Sequence, residues 1–102
     1  MRLRFVRSGG FAGILLTANL DSENLSSDEM AALEREVAEA SFFDLPEQVI
    51  LPSSMPDGFE YEITVSSSNQ VRTLKVSESL VTDTLRPLVD HLMKLARTGK
   101  YH

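Results

Sequence analysis

The chain has 102 residues, of which 42% are apolar and 25% charged, and its formal net charge is −5. This balance predicts one globular domain over residues 1–102, too small to enclose a haem or a flavin, so we expect no cofactor. The sequence has no cysteine, which excludes disulfides, thiolate metal ligands and cysteine catalysis.

The first half of the chain predicts two strands and a helix. Apolar and charged residues alternate over residues 2–7, as in a half-buried strand. A serine and two glycines at 8–10 then predict a hairpin turn, and 11–20 predict a second strand with apolar residues on both faces. A capping-box pattern begins at Ser26, and the apolar spacing of three and four that follows predicts a helix over 27–40.

The second half repeats that order. Residues 46–58 hold three of the four prolines and predict a long surface loop. Alternating residues predict strands at 59–65 and 71–76, joined by a polar turn. Apolar spacing of three and four, with a proline in the first turn, predicts a helix over 84–97.

The element order is therefore ββαββα, which predicts an α+β fold: a four-stranded antiparallel sheet with two helices on one face. If the first and third strands are neighbours, opposite charges can pair across them. The outer face of that sheet is expected to carry Arg2, Arg4, Glu60, Glu62, Arg72 and Lys75.

The distribution of charge limits the class of partner. Twelve of the fifteen acidic residues lie between Asp21 and Glu62, a segment whose single basic residue is Arg35. An acidic middle argues against a nucleic-acid partner, because phosphate binding needs clustered lysine and arginine. It fits either a solvated helix face or a surface that meets a basic protein. We expect no membrane contact and a cytoplasmic location, since no apolar run has the length of a membrane span and no signal-peptide pattern is present.

Residues with catalytic chemistry are sparse. The two histidines are His91, predicted on the surface of the second helix, and the last residue, His102. The serines cluster in predicted turns, and carboxylates such as Glu34 and Glu36 are expected to face water. We therefore expect no catalytic residue, no metal site and no enzymatic activity.

Three stretches resemble the emfourin family: RSGGFAG at 7–13, DGFEYEITV at 57–65 and LRPLV at 85–89. The resemblance implies a small bacterial protein that inhibits protealysin-like metalloproteases of the thermolysin type by blocking their zinc cleft, with no metal of its own. It also implies a cytoplasmic protease as the partner.

The expected contact surface has two segments. The glycine turn offers uncovered backbone flanked by arginine and phenylalanine, which are common interface anchors. The acidic connector between the second strand and the first helix, Asp21–Leu25, offers carboxylates for a basic cleft rim or for zinc, and a leucine for an apolar pocket. The predicted partner-binding residues are Arg7, Ser8, Gly9, Gly10, Phe11, Asp21, Glu23 and Leu25.

Other functions stay open from the sequence. A non-enzymatic interaction module with a different partner would use the same surfaces. A homo-oligomeric structural protein could use Met30 and Met93 as surface anchors, although we expect a monomer rather than an oligomer. A small enzyme would need a deep cavity lined by carboxylates.

Overall fold

The computed structural model describes residues 1–9, 15–46, 48–49 and 58–101. The elements in chain order are β1 (Arg2–Gly9), β2 (Leu16–Leu20), α1 (Ser27–Glu39), β3 (Gln48–Val49), β4 (Phe59–Ser66), β5 (Val71–Ser77) and α2 (Arg86–Arg97). Single 3₁₀ turns follow α1 and β5, at Phe42–Asp44 and Glu78–Leu80. The α+β class and the ββαββα order of the six longer elements are confirmed.

The sheet has the strand order β2-β1-β4-β5-β3. The four longer strands pair antiparallel, as predicted. The predicted loop 46–58 is wrong at Gln48–Val49, because these residues form a fifth, short strand parallel to Lys75–Val76. The free edge of β5 offers unpaired backbone groups, and the passing chain satisfies some of them. Residue 47 and residues 50–57 of that loop lie outside the described residues.

The first hairpin differs from its prediction. Ser8 and Gly9 belong to β1, where they pair with Glu60 and Phe59 of β4, so they are not turn residues. Pairing with the long strand β4 outweighs the turn preference of the glycine. The predicted strand 11–20 is observed from Leu16 to Leu20, while residues 10–14 lie outside the described part of the chain.

One face of the sheet packs against both helices and forms the core. The strands contribute alternate residues to it, as expected for pleated strands, and Phe5 stacks on Tyr61 with ring centroids 5.8 Å apart. The largest fully buried side chains include Phe5, Phe42, Leu3, Leu33, Ile63, Leu74, Leu88 and Leu92. The core is thus a single layer between the sheet and the helices.

Local signals position both helices. The Ser26 hydroxyl accepts a hydrogen bond from the backbone N–H of Glu29 at 3.2 Å, which caps α1 as the sequence pattern predicts. Helix α2 begins with a proline in its first turn, and Lys94 and Arg97 lie in its last turn, where positive charge is favourable. Within the described residues, no helix is both long enough and apolar enough to cross a membrane.

The charged residues predicted for the outer face of the sheet differ from the observed ones in two details. Arg72 is not on that face, because it pairs in register with the buried Val65 and its guanidinium donates to the carbonyl of Leu45. The first and third predicted strands are neighbours, but their register sets Arg4 opposite Thr64. The ion pair instead crosses from β4 to β5, where Glu62 lies 3.8 Å from Lys75. Register, which local alternation does not encode, decides these pairs.

Candidate functional site

The end of the sheet where β1 finishes has an unusually close backbone approach. Gly9 has a φ of +98°, and a Cβ atom at this position would lie 2.1 Å from the carbonyl oxygen of Gly58. No other residue fits that contact without moving the backbone. We call this region the Gly9 end; it comprises Arg7, Ser8, Gly9, Phe59 and Met93. Residues 10–14 continue directly from it along the chain, and residues 50–57 lead into Gly58.

Arg7 is the cation of the Gly9 end. It lies on the core face of β1, in register with Tyr61. Its guanidinium sits over the ring of Phe59, 4.5 Å from the centroid, and one terminal nitrogen lies 3.5 Å from the sulfur of Met93. The Nε atom is buried and makes no hydrogen bond, and among the described residues Arg7 forms no salt bridge. A ring and a thioether therefore hold the side chain in place without neutralising its charge.

A second polar group lies deeper beside Arg7. Burial, and then the neighbouring carboxylate of Glu78, raises the pKa of the Tyr61 hydroxyl to about 12. A terminal guanidinium nitrogen of Arg86 lies 3.1 Å from a carboxylate oxygen of Glu78 and 3.9 Å from one of Asp90. Tyr61 therefore stays protonated and neutral at physiological pH, and the charge at this end of the core face is carried by the surrounding arginines and carboxylates.

The structure separates the two segments of the predicted contact surface. Arg7 pairs with Leu16 at one end of β2, and Leu3 pairs with Leu20 at the other end. Asp21 follows Leu20 and is five residues from Leu16, so the acidic connector begins about 17 Å along the strand from Arg7, at about 3.4 Å per residue. Gly10 and Phe11 lie outside the described residues. Arg7, Ser8 and Gly9 are together, and the connector is not part of the same patch.

Two of the three contact residues predicted in the acidic connector, Asp21 and Leu25, have structural roles. The Asp21 carboxylate accepts hydrogen bonds from the backbone N–H groups of Glu23 at 2.9 Å and Asn24 at 3.2 Å, which closes a turn. Leu25 is only 8% exposed and belongs to the core. Glu23 is exposed and remains the member of this segment that is open to a partner.

His91 differs most from its sequence interpretation. It is not a free surface residue, because its side chain is 17% exposed and lies between the helices. Its Nδ1 is 2.8 Å from a Glu36 carboxylate oxygen and its Nε2 is 2.7 Å from one of Glu29. Burial lowers the pKa of His91, but the hydrogen bonds and charges of Glu36 and Glu29 raise it more, so its pKa stands above the ordinary value.

One sequence signal could have found this contact. Glu29 and Glu36 are seven residues apart and so share a face of α1. Nothing in the sequence shows that this face meets α2. Among the described residues, no three histidine, cysteine or acidic side chains are placed to hold a metal ion.

The fold defines a small two-layer α+β domain, whose Gly9 end holds a fixed cation beside an obligatory glycine. The chain belongs to the Emfourin family, because the Emfourin family model matches residues 5–93, most of its length. The resemblance seen in the sequence is thus confirmed. At the level of the family, this membership supports a role of the metalloprotease-inhibitor type, in a family of inhibitors rather than enzymes. Neither the curated proteins nor the solved structures gave a significant match.

Proposed function

We propose that this protein inhibits thermolysin-type, protealysin-like metalloproteases by docking the Gly9 end of its sheet into the protease cleft. In this proposal it acts as a binding protein without catalysis of its own, as a monomer, in the cytoplasm. Membership of the Emfourin family is the observation that carries the proposal. The Gly9 end supplies the physical features that such docking needs.

The first of these features is rigidity. Ser8 and Gly9 are held in register with β4, and Gly9 has no room for a side chain. A surface that is already ordered loses less conformational entropy on binding than a flexible one. The segment of residues 10–14 starts from this fixed point, and the contact predicted for Gly10 and Phe11 remains a prediction.

The second feature is the charge of Arg7, which no described residue neutralises. Its guanidinium is held between Phe59 and Met93. It can bind a carboxylate of the partner, and no salt bridge to a described residue has to be broken first. Arginine fixed by aromatic packing is a common hot spot of protein interfaces. We propose Arg7 as the electrostatic anchor and Ser8 and Gly9 as the adjoining backbone surface.

The test is a titration of the protein into a thermolysin-type protease that cleaves a peptide substrate. The proposal predicts inhibition whose apparent constant rises with substrate concentration, as expected for a blocked cleft, and no inhibition of a serine protease. An apparent inhibition constant that does not change with substrate concentration would argue against occupation of the cleft. No inhibition at micromolar concentration across several thermolysin-type proteases would refute the proposal and favour an interaction module with another partner.

The role of Arg7 has a matched control on the same strand. Arg7→Met keeps the apolar stem but removes the charge, and it should raise the inhibition constant about tenfold, equivalent to about 1.4 kcal/mol. Arg4→Met makes the same change at an exposed position nearer the opposite end of β1 and should change the constant less than twofold. Equal effects of the two variants would remove Arg7 as the anchor.

A further inference from the structure

Strand β2 is the outermost strand on one side of the sheet, and its outer edge is only partly covered. The backbone N–H of Asn19 donates to the carbonyl of Tyr101, and the Asn19 carbonyl accepts from the side-chain amide of Asn24 at 2.7 Å. Asn19 therefore directs both of its backbone groups away from β1. The chain near Tyr101 and the Asn24 side chain close the edge at this position.

The edge is open two residues earlier. In an antiparallel ladder, alternate residues direct their N–H and C=O groups to the same side, so Thr17 points outward as Asn19 does. In the described part of the chain, no group outside the β1–β2 ladder bonds to the backbone of Thr17. Thr17 thus offers one donor and one acceptor at a part of the sheet edge to which no described residue bonds, and such an edge is a template for another strand.

An apolar anchor lies beside this open edge. Leu15 is 62% exposed, and together with Val71 it is one of two exposed large apolar residues in the described part of the chain. The next residue, Leu16, pairs with Arg7, so the open edge adjoins the Gly9 end. Backbone groups with an adjacent apolar side chain are what a binding site needs to receive an added strand.

We infer that an extended strand of the inhibited protease adds to β2 at Thr17 and that Leu15 anchors it, an inference that rests on the proposed function. The alternative occupant is a second copy of this chain. Antiparallel self-pairing centred on Thr17 would set each Leu15 opposite the other copy's Asn19, whose edge groups are already bonded. A partner strand that ends before Asn19 meets no such obstacle.

Two variants test the edge in the inhibition assay. Thr17→Pro removes the outward N–H without removing a bond to β1, since proline is tolerated at an outward position of an edge strand; Thr17→Val keeps the N–H. Leu15→Ser removes the anchor, and Val71→Ser makes a comparable change at the other exposed apolar site. We expect the inhibition constant to rise at least tenfold for Thr17→Pro and Leu15→Ser, and less than twofold for both controls.

The outcomes separate this inference from the proposed function. Full inhibition by Leu15→Ser, and by Thr17→Pro once urea unfolding shows it folded, would overturn the edge inference alone. If Thr17→Pro does not fold, the inhibition constants of Leu15→Ser and Val71→Ser are compared, and equal values would overturn the edge inference. Absence of inhibition by the unmodified protein would refute the proposed function and this inference with it. A wild-type dimer that Leu15→Ser converts to monomers in sedimentation would assign the edge to a second copy and also overturn the inference.

Discussion

His91 joins the two helices through both nitrogens of its ring. Each nitrogen faces a carboxylate oxygen, at 2.7 Å for Glu29 and 2.8 Å for Glu36. An ionised carboxylate only accepts hydrogen bonds, and a neutral imidazole has only one N–H to donate. Only the protonated ring can donate to both glutamates at once, and the raised pKa of His91 favours that form.

The strength of this contact can be estimated from its geometry. A hydrogen bond to a charged group contributes about 1.5–3 kcal/mol. The Glu36 side chain is 20% exposed and the Glu29 side chain 45% exposed, so the second bond is weakened by solvent. Burial of the imidazolium also opposes the gain. We expect His91→Gln, which can donate to only one glutamate at a time, to lower the free energy of unfolding by about 2 kcal/mol at pH 6.

The contribution depends on pH, and its sign follows from the raised pKa of His91. A raised folded-state pKa stabilises the protein fully below the unfolded-state value, about 6.5 for histidine. That stabilisation is lost as the pH rises through the raised value. We therefore expect the unmodified protein to lose stability between pH 6 and pH 8.5, and the cost of His91→Gln to fall to about 1 kcal/mol or less.

Urea unfolding at pH 6.0 and 8.5 measures both quantities. Lys94→Gln is the matched control, because it changes an exposed residue of the same helix and should cost less than about 0.5 kcal/mol at either pH. An equal cost of His91→Gln at the two pH values would refute a charged ring between the helices. A cost that grows with pH would show that the pKa of His91 is lowered in the folded protein, contrary to the expected direction.

Three further predictions follow from single contacts. Gly9→Ala should lower the free energy of unfolding by more than about 2 kcal/mol, because the new Cβ meets a carbonyl oxygen. Gly99→Ala is the control, because Gly99 also has a positive φ; it should cost only about 1 kcal/mol. Equal costs of the two variants in urea unfolding would contradict the close approach of Gly9 to Gly58. The Tyr101→Phe variant leaves Tyr61 as its one tyrosine, so absorbance at 295 nm follows the ionisation of that residue. The titration midpoint should lie near pH 12, and a midpoint near pH 10 would exclude burial of Tyr61 beside a carboxylate. Ser26→Ala should lower the free energy of unfolding by about 1 kcal/mol through loss of the helix cap, as measured by urea unfolding. An unchanged unfolding midpoint would show that the cap does not stabilise the protein.

Much of the fold could be predicted from the sequence because it depends on near neighbours. The cap at Ser26 and the spacing of three and four start and orient α1, and alternation at Leu3 and Phe5 defines the buried face of β1. These patterns repeat within a turn or within two residues, so they need no knowledge of the rest of the chain. The resemblance to the Emfourin family also rests on short local motifs.

The candidate site could be predicted only in part. The glycine motif predicts a contact surface at Arg7 and Gly9, which the structure brings together, but the predicted surface also included Asp21 and Leu25. Strand register places those residues near the opposite end of the sheet, and packing buries Leu25. The extent of the open edge at Thr17 depends on where Tyr101 meets β2. Tyr101 contacts Asn19, a residue more than eighty positions away in the chain.

The sequence by itself determined the order of the six longer elements, the buried faces of both helices and of β1 and β4, and the absence of thiol chemistry, since each depends on residue type and local period. Only the tertiary structure decided that His91 faces Glu29 and Glu36, that Arg7 lies over Phe59 with no salt bridge to a described residue, and that β3 joins the sheet. These outcomes depend on which distant surfaces pack together. That choice minimises the energy of the whole core, and no short stretch of sequence records it.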